Sequence, residues 1–530
     1  MPASSIGSMF WQTATAHASR LALSLKGTSY TNAELADRSA RIAALLGDAP
    51  PLGAVLAALS LTAYSGVLGT LLAGAGWVPL DPKFPVDRTA QVLDISGART
   101  LVVDAESVGL LEGVLAPIDR SLTVVLPDVG DVSVLAARWP RHRFFGADAL
   151  TTAPLSAPRA VDSSSLAYLL FTSGSTGAPK GVMVTQANVL HHVEAMSERY
   201  AIDEHDRFSQ TFDLTFGPSA FDMFVCWGRG ASLHCLPAAQ VLFRDAFIAE
   251  HALTVWFSVP SVAFGPRKLG WLTPGAFPSL RWSLFCGERL PAEIAQAWQS
   301  AASSSVVENL YGPTEVTIAC TLYRRNPVRS PAQCHAGVVP IGREYPGMSA
   351  AVVDASLARV APAERGELCM RGPQVSAGYW RDAEQTTAAF VAMPLDEGPE
   401  NRWYRTGDIA FVDACGDIIH CGRDDAQVKV RGCRVELGGV EHVLRESAGT
   451  SAAVVLPFPT DGPSVLGLTA TCRVPCPTRR PSSRACARGC LPAWYRTSST
   501  SETSYRSTTT ARSIGSGGLP SSRLLDAGAI

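Results

Sequence analysis

This sequence of 530 residues lacks both a large net charge and a recognisable targeting segment. Lys and Arg total 45 against 47 Asp and Glu, which gives a net charge of −2. Such a balance leaves no charge footprint for nucleic acid or an anionic membrane, and we expect neither as a partner. The first residues have no basic start and no apolar run, so we expect a cytoplasmic protein without a signal peptide.

An unbroken hydrophobic run is also missing. The segment between Asp48 and Asp81 carries no charge, and its length would suffice to span a bilayer. However, Pro50, Pro51 and several Ser, Thr and Gly residues interrupt it. We interpret it as a buried strand and helix of an α/β core.

Paired cysteine spacing is absent from most of the chain. Nine of the thirteen cysteines are scattered through residues 1–471, which indicates reduced and mostly buried thiols. The remaining four form two C-x3-C pairs in a segment whose sequence shows no helix or strand pattern. A zinc site there is therefore a weak alternative. These four are Cys472, Cys476, Cys486 and Cys490.

Apolar, β-rich runs alternate with helical patterns from about residue 20 to residue 390. This alternation predicts an α/β fold with largely parallel sheets. We predict strands at 101–104, 122–126 and 253–259, and helices at 32–46 and 291–302. Near residues 407–422 the pattern changes to short strands and turns.

The run from Tyr168 to Val182 carries the strongest functional signal. Residues 168–171 predict a buried strand, and a loop of small residues leads from it to Lys180. Small side chains let backbone N–H groups and hydroxyls surround phosphate oxygens, and the lysine adds positive charge. The spacing differs from that of the Walker loop. We predict a phosphate-binding loop made of Thr172, Ser173, Gly174, Ser175, Thr176 and Gly177.

Two further motifs supply groups that suit a nucleotide. Residues 309–315 read Asn-Leu-Tyr-Gly-Pro-Thr-Glu. Its aromatic ring suits stacking on adenine, while its hydroxyl and carboxylate suit phosphate and Mg²⁺. Residues 404–408 read Tyr-Arg-Thr-Gly-Asp, and this aspartate can accept hydrogen bonds from both ribose hydroxyls.

These motifs resemble those of the adenylate-forming enzymes, namely acyl-CoA synthetases, luciferases and nonribosomal peptide synthetase adenylation domains. The resemblance covers roughly residues 10–470, and the sequence at Tyr30, 79–82 and 378–380 is closest to the adenylation domains. It implies ATP-dependent activation of a carboxylic or amino acid, followed by transfer to the phosphopantetheine thiol of a peptidyl carrier protein. It also implies a large α/β domain with a distorted β-barrel, followed by a small α+β domain that is incomplete here.

The resemblance gives individual residues their expected roles. Lys180 and Thr314 would act on the phosphates, Glu315 would reach a Mg²⁺ ion, and Asp425 would be the hinge between the domains. Besides the phosphate-binding loop, the residues expected to hold ATP are Gly287, Glu288, Asn309, Tyr311, Gly312, Asp408 and Arg423.

The expected acid pocket depends on the register of residues 212–224. In amino-acid-activating relatives an aspartate after a phenylalanine binds the α-ammonium group. Alignment on 221–224 places Gly217 at that position, whereas counting from the first Phe-Asp pair places Asp213 there. We prefer the first register, because residues 230–233 then also align. The pocket is then mostly apolar and consists of Gly217, Pro218, Phe221, Ser258, Leu284, Cys286, Leu310, Ile318 and Ala319.

Gly217 bears directly on the choice of substrate. A buried ammonium without a partner is costly. Glycine here indicates an acid without an amine at that place, an amine placed elsewhere, or lost function. We therefore expect weak activation of ordinary α-amino acids.

Near the end of the chain, hydrophobic residues do not recur at the spacing of a helix or a strand. From Cys472 to Arg523 it contains nine arginines, no lysine and one acidic residue, a composition typical of a disordered basic tail. The resemblance implies a Pro-Leu-x-x-x-Gly-Lys motif here, whose lysine bridges the carboxylate and the α-phosphate. That motif is missing, and loss of such a charge should cost adenylation ~3–4 kcal/mol.

A shift of reading frame accounts for the missing motif. Read one base earlier, the codons of residues 506–514 permit Pro-Leu-Asn-Asp-Asn-Gly-Lys-Ile-Asp, and those of residues 490–496 permit Leu-Pro-x-x-Met-Val-Pro. Both are motifs of the family, in one frame and in the expected order. We hypothesise a frameshift near residues 472–480, with the lysine codon across Ala511 and Arg512.

We predict three segments and one leading function. Residues 1–422 form the large core, 423–471 begin the small domain, and 472–530 form an aberrant tail that is disordered or frameshifted. The leading hypothesis is a free-standing or excised adenylate-forming ligase. The alternatives are an acyl- or aryl-CoA ligase, and an impaired nucleotide-binding remnant without the closing lysine.

Resequencing the encoding DNA tests the frameshift. We expect the frame one base earlier to stay open from the region of residues 472–480 through the codon that straddles Ala511 and Arg512. That codon should read lysine. A stop codon in this interval, or any other codon at that place, would contradict the hypothesis.

Overall fold

The computed structural model describes residues 3–47, 51–173, 179–236, 244–395, 401–423, 427–430, 433–448, 453–458, 465, 467–472 and 495–497. The helices in these ranges are α1 (Ile6–Ala16), α2 (Asn32–Leu46), α3 (Leu61–Leu72), α4 (Val86–Ser96), α5 (Leu111–Leu115), α6 (Ser133–Arg138), α7 (Gln186–Arg199), α8 (Pro218–Trp227), α9 (Arg244–Glu250), α10 (Phe264–Lys268), α11 (Ala292–Ala301), α12 (Ser330–Gln333), α13 (Ala383–Ala389) and α14 (Leu437–Ala448).

The strands are β1 (Leu21–Leu25), β2 (Thr28–Thr31), β3 (Leu52–Leu56), β4 (Gly76–Leu80), β5 (Thr100–Val103), β6 (Thr123–Val125), β7 (Arg143–Phe145), β8 (Leu166–Thr172), β9 (Lys180–Thr185), β10 (Arg207–Gln210), β11 (Ser232–Cys235), β12 (Val255–Ser258), β13 (Trp282–Phe285), β14 (Val306–Tyr311), β15 (Thr321–Arg324), β16 (Arg343–Glu344), β17 (Ser349–Val353), β18 (Gly366–Arg371), β19 (Gly378–Tyr379), β20 (Phe390–Val391), β21 (Trp403–Val412), β22 (Ile418–Arg423), β23 (Gln427–Val430), β24 (Cys433–Glu436), β25 (Ala453–Phe458), β26 (Gly467–Cys472) and β27 (Tyr495–Thr497).

Local sequence signals set the helix boundaries where they are strong. The Glu34 backbone N–H donates to the Thr31 hydroxyl at 3.2 Å, and the Thr31 N–H donates back to the Glu34 carboxylate at 2.8 Å. This reciprocal cap satisfies donors that a helix start would otherwise leave free, and α2 begins and ends where predicted. The helix predicted at 291–302 forms as α11, shorter by one residue at each end.

Two large sheets form the main part of the molecule. One has eight strands in the order β19-β9-β8-β4-β3-β5-β6-β7, and the other has nine in the order β16-β15-β14-β13-β12-β10-β11-β1-β2. Their central strands pair in parallel, whereas β9, β15 and β2 join antiparallel to their neighbours. The predicted α/β fold with largely parallel sheets is confirmed, and the three predicted strands form as β5, β6 and β12.

The two sheets share one apolar core. A single cluster of buried side chains includes Val55 from β3, Leu170 from β8, Phe208 from β10 and Phe221 from α8. The rings of Phe221 and Phe257 meet edge to face with centroids 4.8 Å apart, an arrangement that adds to the apolar burial. Because α8 packs between the sheets, residues at its start lie near the ends of the strands.

The uncharged segment between Asp48 and Asp81 folds as β3, α3 and β4, and its two strands are neighbours within the eight-stranded sheet. The strand and helix expected there are confirmed. Among the described residues, no helix is long and apolar enough to cross a membrane. Eight of the cysteines in the described ranges are free thiols, and five of these eight are buried.

A third, antiparallel sheet stands where the barrel was expected. It runs β17-β18-β21-β20, with β22 paired to the other part of β21. The pair β21–β22 carries the run Tyr-Arg-Thr-Gly-Asp and ends at Arg423. This sheet therefore brings Asp408 and Arg423 opposite each other in register.

The residues beyond 426 form a smaller apolar cluster of their own, in which β23, β24, α14, β25 and β26 take part. On β25, Val454, Leu456 and Phe458 are each more than half exposed, while the alternate residues Ala453 and Val455 are buried in this cluster. A sheet normally buries its apolar face against another layer. Among the described residues, no layer covers this face of β25. The domain boundaries and the nature of the tail stay predictions.

Candidate active site

The phosphate-binding loop leaves one antiparallel strand pair and returns to it. Thr172 at the end of β8 is the register partner of Lys180 at the start of β9, and the Thr172 hydroxyl donates to the Lys180 carbonyl at 3.4 Å. The Ser173 hydroxyl donates to the carbonyl of Arg434, at 2.9 Å. Four predicted loop residues lie outside the described residues, namely Gly174, Ser175, Thr176 and Gly177.

Glu315 stands at the centre of a buried charged cluster. It lies on a 3₁₀ turn, Thr314–Val316, directly after β14, and its side chain has no exposed surface. Nη1 of Arg434 donates to both carboxylate oxygens at 2.9 Å, and the Tyr379 hydroxyl donates to Oε1 at 2.9 Å. Nζ of Lys180 lies 3.9 Å from the same oxygen. Thr314 is half-buried beside the cluster.

The protonation states in this cluster follow from burial and from the neighbouring charges. Burial alone would raise the pKa of Glu315, but Arg434 and Lys180 hold that pKa below its ordinary value. Burial lowers the pKa of Lys180, against the opposing effect of Glu315. The ammonium group also lies 4.1 Å from the centre of the Tyr379 ring, a cation–π contact that favours the charged form.

As arranged, this cluster does not fit a magnesium ion. Mg²⁺ requires oxygen ligands in a nearly octahedral shell, yet both Glu315 oxygens already accept from Arg434. Among the described residues, no group of three His, Cys, Asp or Glu side chains could hold a metal. The structure thus places the guanidinium of Arg434 at Glu315, where the resemblance predicts a Mg²⁺ ion.

A cavity of about 360 Å³ lies beside this cluster. Most of the residues predicted to bind ATP outside the loop line it, which brings together parts of β14, β21, β22 and the turn after β13. The lining residues that were predicted are Gly287, Glu288, Asn309, Tyr311, Asp408 and Arg423.

Asp408 is held by three neighbours in this cavity. The Tyr311 hydroxyl donates to one carboxylate oxygen, and Nη1 of Arg423 donates to the other at 3.1 Å. Nε2 of His420 lies 3.5 Å from the same oxygen as Arg423. Burial would raise the pKa of Asp408, but His420, Arg423 and Lys429 hold it well below its ordinary value. The carboxylate is therefore charged at neutral pH.

The cavity fits the adenosine part of ATP. Nδ2 of Asn309 donates to the carbonyls of Val339 and Pro340, at 3.3 and 2.8 Å. Its buried Oδ1 has no hydrogen-bond partner among the described residues, and a buried acceptor of this kind needs a donor such as an exocyclic amine. The carboxylate of Glu288 accepts from the backbone and hydroxyl of Ser261 at 2.9 and 3.1 Å.

Gly312 lies between Tyr311, which lines this cavity, and the segment 317–319 that borders the predicted acid pocket. A Cβ at Gly312 would lie 2.5 Å from the Cα of Ala319, so only glycine allows these two segments to touch. The intervening turn holds two β-branched residues with positive φ, Thr317 at 54° and Ile318 at 71°. Backbone strain of this kind persists only where neighbouring groups enforce it.

Hydrogen bonds from Gln374 stabilise that turn. Its Nε2 lies 3.1 Å from the Thr317 carbonyl and 2.6 Å from the Ala319 carbonyl, and the Thr317 hydroxyl donates to the Gln374 carbonyl at 2.7 Å. The Gln374 side chain is wholly buried. Ile318 and Ala319 are therefore held in place from outside the pocket.

The structure brings the predicted acid-pocket residues to one buried region. Gly217 and Pro218 begin α8, and Phe221 follows one turn later, opposite the ends of β12, β13 and β14. All nine residues are buried: Gly217, Pro218, Phe221, Ser258, Leu284, Cys286, Leu310, Ile318 and Ala319. None is acidic.

Asp213, the alternative in the other register, lies on the surface. Its carboxylate is about half exposed and pairs with Nζ of Lys83 at 3.2 Å. The backbone at Gly217 has φ −48°, which any residue adopts. A Cβ there would meet only Ile318 Cα at 3.9 Å and Leu170 Cδ1 at 4.0 Å. Glycine at 217 is therefore required neither by the backbone nor by space.

Sequence reasoning missed four residues of the site. Tyr379, His420, Lys429 and Arg434 contact the predicted residues, and Nζ of Lys429 lies 5.9 Å from the centre of the Tyr311 ring. Tyr379 stands inside the run 378–380 that the sequence analysis names, so the signal for it was its presence in a patterned run. The predicted hinge, Asp425, lies outside the described residues.

Comparison with known proteins identifies the family of this chain. The family model described as AMP-binding enzyme matches residues 10–380. The chain is 30% identical to the D-alanine--D-alanyl carrier protein ligase of Lacticaseibacillus rhamnosus, over 84% of this chain and 83% of that protein. It is 34% identical to the L-proline--[L-prolyl-carrier protein] ligase of Streptomyces coelicolor, over 74% and 72%.

The structure resembles that of the Vibrio cholerae adenylation domain AlmE in complex with glycyl-adenosine-5'-phosphate, with a TM-score of 0.78 and 31% identity over 88% of each chain. The chain spans only 10%, 36% and 5% of three larger synthetases that it also matches. Fold and site together define an adenylate-forming ligase. The chain belongs to the AMP-binding enzyme family, and the resemblance found in its sequence is confirmed.

Replacement of Gln374 tests the support of the strained turn. Gln374→Met removes the donors to the Thr317 and Ala319 carbonyls and should lower the free energy of unfolding by ~1–3 kcal/mol, since buried acceptors lose their partner. Urea denaturation measures this change. Gln12→Met, at an exposed position of α1, is the matched control and should leave the midpoint unchanged. Equal midpoints for both variants would contradict the assigned role.

Proposed function

We propose that this chain joins a small carboxylic acid to AMP at the expense of ATP and then transfers the acyl group to a carrier-bound phosphopantetheine thiol. Lys180 and Glu315 lie close to the nucleotide cavity, at the junction of the two predicted domains. This observation is the main support for the proposal. It agrees with the activities for which the two carrier-protein ligases above are named.

In the first step a carboxylate oxygen of the acid would bond to the α-phosphorus of ATP. The bond from that phosphorus to the oxygen of the β-phosphate would break, and pyrophosphate would leave. Lys180 would neutralise phosphate charge from within a buried site, where such an interaction is worth more than in water. Tyr311, Asp408 and Arg423 would position the adenosine.

In the second step the thiol sulfur would bond to the acyl carbon, and the bond from that carbon to the AMP oxygen would break. The thiol proton would pass to solvent. A groove of about 490 Å³ opens beside Lys180, Tyr379 and Tyr404 and reaches Gly438 of the small domain. We assign this groove to the phosphopantetheine arm, because it leads from the surface to the buried cluster.

The acid would lack an ammonium group bound at position 217. The pocket residues are apolar or neutral, and two buried carboxylates of the site, Glu315 and Asp408, already have cationic partners. An amino acid whose amine lies away from the α-carbon, or an acid without an amine, fits this pocket better than an ordinary α-amino acid.

Magnesium belongs to this proposal as the expected companion of ATP, and phosphopantetheine as the group that the carrier presents. Because Glu315 is occupied by Arg434 in this arrangement, we assign no step to the metal. Transfer to coenzyme A in place of a carrier would mark the acyl-CoA ligase alternative.

ATP–pyrophosphate exchange with a panel of acids tests the proposal. We expect Lys180→Ala to reduce exchange by ~100-fold or more, and the exposed Lys268→Ala to leave it unchanged. We expect weak exchange with the twenty standard amino acids. Gly217→Asp should raise exchange with glycine or alanine by about tenfold, since a buried ammonium gains a partner.

Two results would contradict the proposal. Strong exchange of the unmodified chain with standard α-amino acids would refute the argument from Gly217. An absence of both ATP binding and exchange with every acid would refute the activity itself. Incubation with a holo-carrier protein or with coenzyme A, followed by mass spectrometry, identifies the acceptor.

A further inference from the structure

We propose that a second cavity, separate from the candidate active site, binds an anion of the phosphate or polyphosphate class. This cavity has a volume of about 590 Å³, which is typical of small-molecule sites. It opens between the end of α7, strands β15 and β16, and the turn that joins β21 to β22. Among the described residues, none lines both this cavity and the nucleotide cavity. The proposal goes beyond the proposed function and does not depend on it.

Arginine dominates the charge of this cavity. Four arginines line it, namely Arg199, Arg324, Arg329 and Arg343. Two acidic residues, Glu344 and Asp417, also line it, and buried Glu308 pairs with two of the arginines. Four positive charges against three negative ones leave the cluster with a positive excess.

Buried Glu308 fixes the position of two of these arginines. Its side chain has no exposed surface, and its Oε1 accepts from Nη2 of Arg199 at 2.7 Å and from Nε of Arg324 at 2.8 Å. The Tyr200 hydroxyl donates to the other oxygen at 3.0 Å. The Arg324 side chain is half exposed, and its two Nη groups have no hydrogen-bond partner among the described residues. A guanidinium that is already held at one atom loses little further freedom when its other donors bind a ligand.

The strand register places a third arginine on the same face. Leu322 of β15 is the antiparallel partner of Arg343 on β16. Residues two apart on a strand share a face, so Arg324 and Arg343 stand on one side of this sheet edge, around Leu322. Nε of Arg343 donates to Asp417 at 3.4 Å, and its Nη2 donates to the Cys415 carbonyl. Arg343 is therefore also anchored at the cavity.

The fourth arginine stands on a loop that is held from within. Oδ1 of Asn326 accepts from the backbone N–H groups of Val328 and Arg329, both at 3.0 Å. The hydroxyls of Tyr323 and Ser330 lie 2.6 Å apart and tie the loop to β15. The side chain of Arg329 is exposed, and it has no charged partner in the part of the chain that the structure describes. Its charge is thus available to a ligand.

This arrangement favours phosphate over carboxylate. Guanidinium groups that stand on different walls need an anion whose oxygens point in several directions. A phosphate group presents tetrahedral oxygens and accepts bidentate hydrogen bonds from arginine, whereas a carboxylate presents only two oxygens in one plane. Glu344 and Asp417 also repel any anion, so a multiply charged one gains more from the four arginines than a single carboxylate does.

Isothermal titration calorimetry with inorganic pyrophosphate tests this site. Lys180→Ala is the background for all variants, because it weakens phosphate binding at the candidate active site. We expect Lys180→Ala to bind pyrophosphate, and the added change Arg329→Gln to weaken that binding about tenfold or more, the usual effect of losing a hydrogen bond to a charged group. Arg343→Gln should act in the same direction. Arg229→Gln, at an exposed arginine far from this cavity in sequence, is the matched control and should leave the affinity unchanged.

Three results would overturn the proposal. The first is equal pyrophosphate affinity with and without Arg329→Gln, with both chains folded by circular dichroism. Since Arg329 has no charged partner among the described residues, its loss should not disturb the fold. The second is an equal loss in Arg229→Gln, which would indicate unspecific attraction to arginine. The third is tighter binding of citrate, whose charge is similar but whose oxygens belong to carboxylates.

The calorimetry contains neither ATP nor acid nor carrier, so its outcome separates from that of the proposed function. Pyrophosphate binding that depends on Arg329 would support this site even if pyrophosphate exchange failed with every acid. Exchange that succeeds beside an unchanged affinity of Arg329→Gln would overturn this site alone.

Discussion

A carboxylate without exposed surface is the constraint on which the rest of this site depends. Glu315 must keep a cationic partner, since removing one member of a buried ion pair typically costs 3–5 kcal/mol. The structure supplies Arg434 from β24 and Lys180 from β9, with Tyr379 as a neutral donor. Three segments distant in sequence are held together because each satisfies the same group.

The arrangement around β14 brings the nucleotide cavity and the predicted acid pocket next to each other. Asn309 and Tyr311 end this parallel strand, and Glu315 follows on the next turn. In open α/β sheets ligands gather at the carboxyl ends of strands. The close approach of Gly312 to Ala319 then places one wall of the predicted acid pocket beside the nucleotide cavity. Gln374 keeps that wall in a strained conformation.

The local parts of this picture were predictable from sequence. The bounds of α2 follow from the Thr31 cap, and the strand before the phosphate-binding loop follows from its apolar run. Short motifs also identified Glu315 and Asp408, because their spacing to an aromatic or a glycine is itself the signal. Such features depend on neighbours within a few residues.

The long-range pairings were not predictable in the same way. Arg434 lies 119 residues from Glu315, and Lys83 lies 130 residues from Asp213. A single sequence shows only that a charged residue needs a partner, and the fold decides which of many arginines and lysines provides it. Gln374 could not be predicted for the same reason, because no periodic pattern in the sequence indicates that its amide is buried. The role of Asp425 as a hinge and the nature of the tail after Cys472 remain predictions.

The central claim is that Glu315 seats β23 and β24 against the large domain. Hydrogen exchange of residues 427–436, measured by mass spectrometry without nucleotide or metal, tests it most directly. Glu315→Gln and Arg434→Gln should each speed exchange in this strand pair, and the double variant should exchange no faster than either single variant, because one interaction is lost in all three. Unchanged protection in both single variants would contradict the account.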